Sequence, residues 1–215
     1  NTQGANAGAY GTVQVGKFTV TGNYSYNHND SPESYSYSDR EDFTSDPYKY
    51  MNSESTSKSK GNFQFGSMEG SYEIDTLNLV TFSMQLFGGT FDSYGNSSTQ
   101  VKNALHEHAY SYRSIYRGTS DWSSIGANFD YQHSFKKKGE YLTFSYRYNG
   151  SPDNSEAYTE YEDIKDYPYD MNFLRNQYYD NDARTDEHTF QLDYTNPINN
   201  VHDIDFGAKY ILRNN

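Results

Sequence analysis

The sequence predicts an all-β fold, an antiparallel up-and-down meander of about eight long strands, on three observations. The first is strict alternation. Ile125, Ala127, Phe129, Tyr131, His133 and Phe135 share one face, while Gly126, Asn128, Asp130, Gln132 and Ser134 fall on the other. Period 2 over this length is what a strand with one apolar and one polar face produces. The second is punctuation: short turns centre near residues 16, 76, 137 and 198, at intervals of 60, 61 and 61 residues. The third is composition. Only 33% of the residues are apolar and mean hydropathy is −1.04, yet 18% are aromatic, 24 of them Tyr. A disordered chain is poor in aromatics, so the polarity reads as two solvated surfaces with apolar residues confined to narrow bands.

The clearest hairpin is Ser124–Tyr148, whose second arm sends Leu142, Phe144, Tyr146 and Tyr148 to one face and Tyr141, Thr143, Ser145 and Arg147 to the other. Lys136-Lys137-Lys138-Gly139 is the polar turn between its arms. An earlier copy begins with Ala7, Ala9, Gly11, Val13 and Val15, turns at Gly16-Lys17, and returns with Phe18, Val20, Gly22, Tyr24 and Tyr26. A third pairs an arm from Phe63 to Asp75 with Val80, Phe82, Met84 and Leu86. Phe63 and Phe65 are out of phase with Tyr72 and Ile74 there, and a bulge near Gly66 or Gly70 is expected to reconcile them. The last places His188, Phe190, Leu192 and Tyr194 before a turn at Asn196–Asn200, then Ile204, Phe206, Ala208, Tyr210 and Leu212. Between the hairpins, residues 28–60, 88–121 and 149–187 lose the alternation and read as long hydrophilic connections.

Charge and residue usage exclude several functions. With 17 basic against 29 acidic residues the chain carries −12, which disfavours nucleic acid as a partner, since phosphate binding needs a basic face. The absence of cysteine removes disulfides and thiolate metal sites. No apolar run approaches the roughly 20 residues of a membrane helix, so any membrane role must use strands. The sequence starts at Asn1 without an initiator Met and reads as a processed or excised piece.

Short turns at one end and long hydrophilic connections at the other have no purpose in a soluble sandwich. They are the layout of an outer-membrane barrel, with short turns in the periplasm and long loops outside. Arms of about 9–11 residues suffice to cross, and the aromatic excess suits interfacial girdles. The units G-K-F-T-V-T-G-N-Y-S-Y (16–26), F-K-K-K-G-E-Y-L-T-F-S-Y-R-Y (135–148) and D-Y-T-N-P-I-N-N-V-H-D-I-D-F-G-A-K-Y-I-L-R (193–213) resemble barrel strands of the Bacteroidetes-type outer-membrane β-barrel family, relatives of TonB-dependent receptors. The resemblance covers nearly all of the chain as a style of repeat rather than a sharp motif. It implies one barrel segment over residues 1–215, localisation in the bacterial outer membrane, and uptake of a ligand captured by outside loops. Two departures stand out. No plug domain or TonB box is recognisable, and the chain ends in Arg213-Asn214-Asn215 rather than on a terminal aromatic. An internal piece of a larger barrel is therefore expected, partnered by outer-membrane lipid and by a plug or other strands of the parent; about 22 strands enclose a plugged lumen in the largest transporters of this kind.

Chemistry is sparse. His106 and His108 flank Glu107 and could hold a metal, but zinc needs three or four protein ligands, so a polar loop is the expectation. Asp180-Asn181-Asp182 with Asp186 and Glu187 lacks the glycine and spacing of an EF-hand and reads as a solvated acidic loop. No nucleophile elbow or phosphate loop occurs. Trp122 is expected as an interfacial anchor at a strand end, and His133 as a girdle or packing residue rather than a catalyst. No catalytic residue, metal site, cofactor or defined ligand site is assigned, and no enzymatic activity is expected. The alternative to a transport barrel is a soluble or surface-attached β-domain that binds glycan or protein through Tyr-rich loops. The two differ in whether the apolar faces meet lipid or a protein core.

Overall fold

A computed structural model describes residues 3–43, 47–198 and 202–214. Among these residues nine strands make a single antiparallel sheet: β1 (Gln3–Val15), β2 (Phe18–Asp30), β3 (Ser34–Glu41), β4 (Tyr50–Glu73), β5 (Asn78–Lys102), β6 (His108–Ser134), β7 (Tyr141–Lys165), β8 (Gln177–Pro197) and β9 (Asp203–Asn214). The order is β1-β2-β4-β5-β6-β7-β8-β9, so chain neighbours are sheet neighbours, and β3 pairs with β4. One 3-10 turn, Met171–Leu174, lies between β7 and β8, with the Asp170 carboxylate accepting from the Asn172 amide at its start.

The meander matches the expectation, with one strand more. β2 and β3 lie end to end along β4. Asp30 pairs with Lys60 and Ser34 with Ser57, so three residues, 31–33, stand opposite two. Pro32, which has no amide hydrogen to give a ladder, sits in this break.

Register closes the argument about the turns. Val15 pairs with Phe18, Glu73 with Leu79, Ser134 with Tyr141 and Pro197 with Asp203, so all four short turns lie at one edge. In the first, Gly16 takes φ +60, which glycine adopts at no steric cost. Part of the turn expected at Asn196–Asn200 lies outside the described residues.

The other end differs from the expectation. Residues 88–121 are not a long connection: β5 runs on to Lys102, β6 starts at His108, and only 103–107 join them. Residues 28–60 and 149–187 are likewise largely strand. Tyr, Ser and charged residues occur on both faces of these extensions, so no apolar–polar alternation marks them.

Paired residues share a face, and the register lines them up in rows. Phe18, Tyr72, Val80, Tyr131, Phe144, Leu192 and Ala208 form one row; Val20, Gly70, Phe82, Phe129, Tyr146, Phe190 and Tyr210 form the next. The face behind carries Thr19, Ser71, Thr81, Asp130, Ser145, Gln191 and Lys209. None of the described residues covers the apolar face. Phe144 is 39% exposed, Leu192 46% and Tyr210 60%. The buried apolar residues, Val101, Ile115 and Leu174, all lie toward the far end.

The expected bulge near Gly66 or Gly70 is absent, because β4 keeps continuous register with both β2 and β5. Phe63 and Phe65 therefore point to the polar face.

Candidate functional site

Two surfaces carry chemistry: the apolar band near the short turns and the polar face that leads away from it. On the apolar face of β6, Ile125 to Phe135 spans ten residue steps. That is roughly 34 Å of strand, or about 26 Å at a 40° tilt, against the ~25 Å apolar band of a membrane barrel. Rings gather at its lower rim. Phe135 meets His133 edge-on at 4.8 Å and Tyr194 at 6.1 Å, and Tyr194 lies 5.1 Å from Phe206. His133 Nδ1 also lies 2.7 Å from Asn78 Oδ1, which accepts the Tyr131 hydroxyl at 2.6 Å. His133 is thus the packing residue its position suggests.

The polar face holds charges and amides at the depth of the apolar rows. Arg147 donates from Nε to Asn128 Oδ1 at 2.8 Å, and a depression of about 320 Å³ is lined by Asn128, Asp130, Arg147, Gln191 and Lys209 among others. Arg213 pairs with Glu187 on the same face. Water-filled or protein-filled space suits such a wall; lipid does not.

Farther from the short turns the polar face becomes aromatic. Trp122 is not an anchor at a strand end: it sits within β6, 6.0 Å from Phe63 and 5.0 Å from Phe87, and Phe63 meets Phe87 edge-on at 4.7 Å. Gly89 stands between Phe63 and Trp122 in the register. A Cβ there would come within 2.2 Å of the Asn62 carbonyl oxygen, so only glycine fits. The sequence held the signal for this cluster. Extending the register from the turn near residue 76 pairs Phe65 with Phe87 and Phe63 with Gly89.

Beyond lies a second cluster, of six tyrosines. Tyr110 in β6 touches Tyr48, Tyr167 and Tyr169 at 5.4, 5.4 and 6.1 Å, and Tyr112 touches Tyr161 and Tyr167 at 6.1 and 6.2 Å, all edge-to-face. Val101, 3% exposed, pairs with Tyr110, and the buried Thr99 with Tyr112. Burial among the rings pushes the Tyr110 and Tyr167 hydroxyls above the usual tyrosine range, so these two stay neutral at physiological pH.

The histidine pair separates. His106, at φ 61, stacks on Tyr50 at 4.2 Å, while His108 Nδ1 faces Asp166 at 3.7 Å. Among the described residues no group of three or more His, Cys, Asp or Glu side chains is placed to hold a metal. Asp180–Glu187 is strand rather than loop: Asp186 pairs with Arg184 at 2.7 Å, and Glu187 turns to Arg213 on the opposite face.

Residues 133–215, from the end of β6 through β9, match the model of an outer membrane protein beta-barrel family. No curated protein matches the chain. The match covers the last strands, and the rows they carry continue into β1–β6. An apolar face that no described residue covers, a charged face behind it and short turns at one edge agree with that similarity: the chain is an antiparallel meander of a transmembrane β-barrel in the bacterial outer membrane.

Proposed function

We propose that the chain is the wall of a transporter resembling TonB-dependent receptors, without enzymatic activity, that takes up a ligand captured at its outer end. One observation carries the reading. The face turned from lipid carries Asn128, Asp130, Arg147, Gln191 and Lys209 within the band and becomes aromatic at its outer end, while β4–β7 continue past the band as sheet. Such a wall offers a wetted passage, or a surface for a plug, below a mouth lined with rings. The capture surface is then the sheet extensions with Tyr48, Tyr110, Tyr112, Tyr161, Tyr167 and Tyr169, rather than long loops. β1 and β9 each pair on one side only among the described residues, and further strands of the parent protein complete the barrel. The soluble glycan- or protein-binding alternative would leave Phe144, Leu192 and Tyr210 bare to water.

The single tryptophan, Trp122, tests this. In bilayers its emission is expected to be quenched by aqueous acrylamide or iodide and spared by brominated lipids. Quenching by the lipids and protection from the aqueous agents would overturn an inward polar passage.

A further inference from the structure

We infer that the β6–β7 turn, Phe135–Glu140, is a docking site for anionic phospholipid headgroups of the inner leaflet; this rests on the outer-membrane barrel reading above. The chain is acidic overall, yet Lys136, Lys137 and Lys138, three of its ten lysines, fall in this one turn. All three are exposed. The other described short turns offer no such surplus. The Lys17 ammonium in the first donates to the Ile74 carbonyl at 3.0 Å. The β4–β5 turn carries Asp75, whose carboxylate accepts from the Leu77 amide and the Asn78 side chain at 2.7–2.8 Å.

Geometry sets the depth and the side. Phe135 opens the turn and belongs to the ring cluster with His133, Tyr194 and Phe206 at the lower rim of the apolar band, the level at which aromatic girdles meet headgroups. Lys137 Nζ donates to Asn196 Oδ1 at 2.7 Å. Asn196 pairs with Ile204 and continues the row face of Leu192 and Tyr194, so this ammonium lies on the lipid side of the wall, not over the lumen. The turn's acid, Glu140, is occupied by the Tyr194 hydroxyl. Lysine is a compact cation on a flexible stem that reaches the phosphate layer from an apolar anchor, and near an anionic surface each such charge strengthens association roughly fivefold. Charge complementarity and continuity with the girdle both select a phosphate-bearing, net-negative lipid.

The test uses the whole chain in vesicles of phosphatidylethanolamine with and without phosphatidylglycerol. Retained phosphatidylglycerol is counted by native mass spectrometry after detergent extraction. The wild type is expected to enrich phosphatidylglycerol, and K136Q/K137Q/K138Q to lose that enrichment by tenfold or more. K58Q/K60Q, near the middle of β4 and away from the short turns, is expected to keep it. Equal enrichment in the wild type and the triple variant, or none in the wild type, overturns the inference while leaving the barrel reading intact. Failure of the wild type to enter either vesicle would overturn both. A triple variant that keeps phosphatidylglycerol but loses a bound acidic periplasmic peptide would assign the turn to protein instead and also overturn the lipid inference.

Discussion

The two halves of each long strand live by opposite rules. Near the short turns, β6 sets Phe129 and Tyr131 on a face no described residue covers, with Asn128 and Asp130 behind. Near the far end, the same strand turns Tyr110 and Tyr112 to the polar side, into the ring cluster beside Val101 and Thr99. Ile115 on its other side is only 5% exposed. The backbone does not change between the halves; the surroundings do. Lipid accepts apolar side chains without asking for complementary packing. The water-exposed half has to build what burial it has from its own residues, and it does so with tyrosine rings packed edge to face.

The largest effect should come from putting charge into the lipid-facing half. Phe144→Arg is expected to cost about 2–4 kcal/mol in bilayer unfolding. The neighbouring Thr143→Arg, which points to the polar face beside Gln132 and Asp193, should be close to neutral. In the same series Phe144→Ala should lose the transfer term alone and stay below the roughly 3–5 kcal/mol of a core Phe→Ala, because lipid fills the space that a packed core leaves empty. A cost inside that range would mean that Phe144 packs against protein and that the contrast between the halves is false.

A smaller effect sharpens the other half. Tyr161 meets Tyr112 edge-on, so Tyr161→Leu keeps bulk and removes the ring contact, worth about 0.5–1.5 kcal/mol. Faster hydrogen exchange is expected around Tyr110–Tyr112 and Tyr167–Tyr169, with protection of the apolar rows unchanged. Faster exchange throughout the sheet would show that the two halves unfold as one.

The smallest effect is at the short-turn edge. The Leu77 amide and then the Asn78 side chain hold the Asp75 carboxyl below the usual carboxylate range. A depressed folded pKa contributes stability above the unfolded value, and that contribution is lost as pH falls through the folded one. Protection of the Leu77 amide should thus hold at neutral pH and fall away below about pH 4. Unchanged Leu77 protection at neutral pH in Asp75→Ala would remove Asp75 as the turn's fastener.

These halves were also unequally legible. The hairpin arms and short turns follow from period-2 contrast, since one face is apolar and the other is not. The pairing of Val15 with Phe18 and of Tyr131 with Phe144 agrees with that reading. In residues 88–121 the contrast vanishes, because Ser, Tyr and Asp suit either face, and a strand with two polar faces looks like a loop. Phe63, Phe65 and Trp122 were misplaced for the reverse reason. A rule that sends every large apolar residue to one face has no room for rings on the polar one.

The break at residues 31–33 acts as a change of reading frame. Even-numbered residues of β2 share the face of Phe18; past Pro32 the odd-numbered Tyr35 and Tyr37 join that side, opposite Thr56 and Glu54. Ser34 and Ser36 are thereby brought to the inner side, where their hydroxyls meet those of Ser57 and Ser55 at 2.8 and 2.7 Å. Sequence drift at this point is then constrained by arithmetic rather than by chemistry. Inserting two residues between Asp30 and Ser34 preserves every orientation downstream. Losing one would swing both tyrosines into the serine lane and expose the serines in their place, with no side chain of β3 itself having changed.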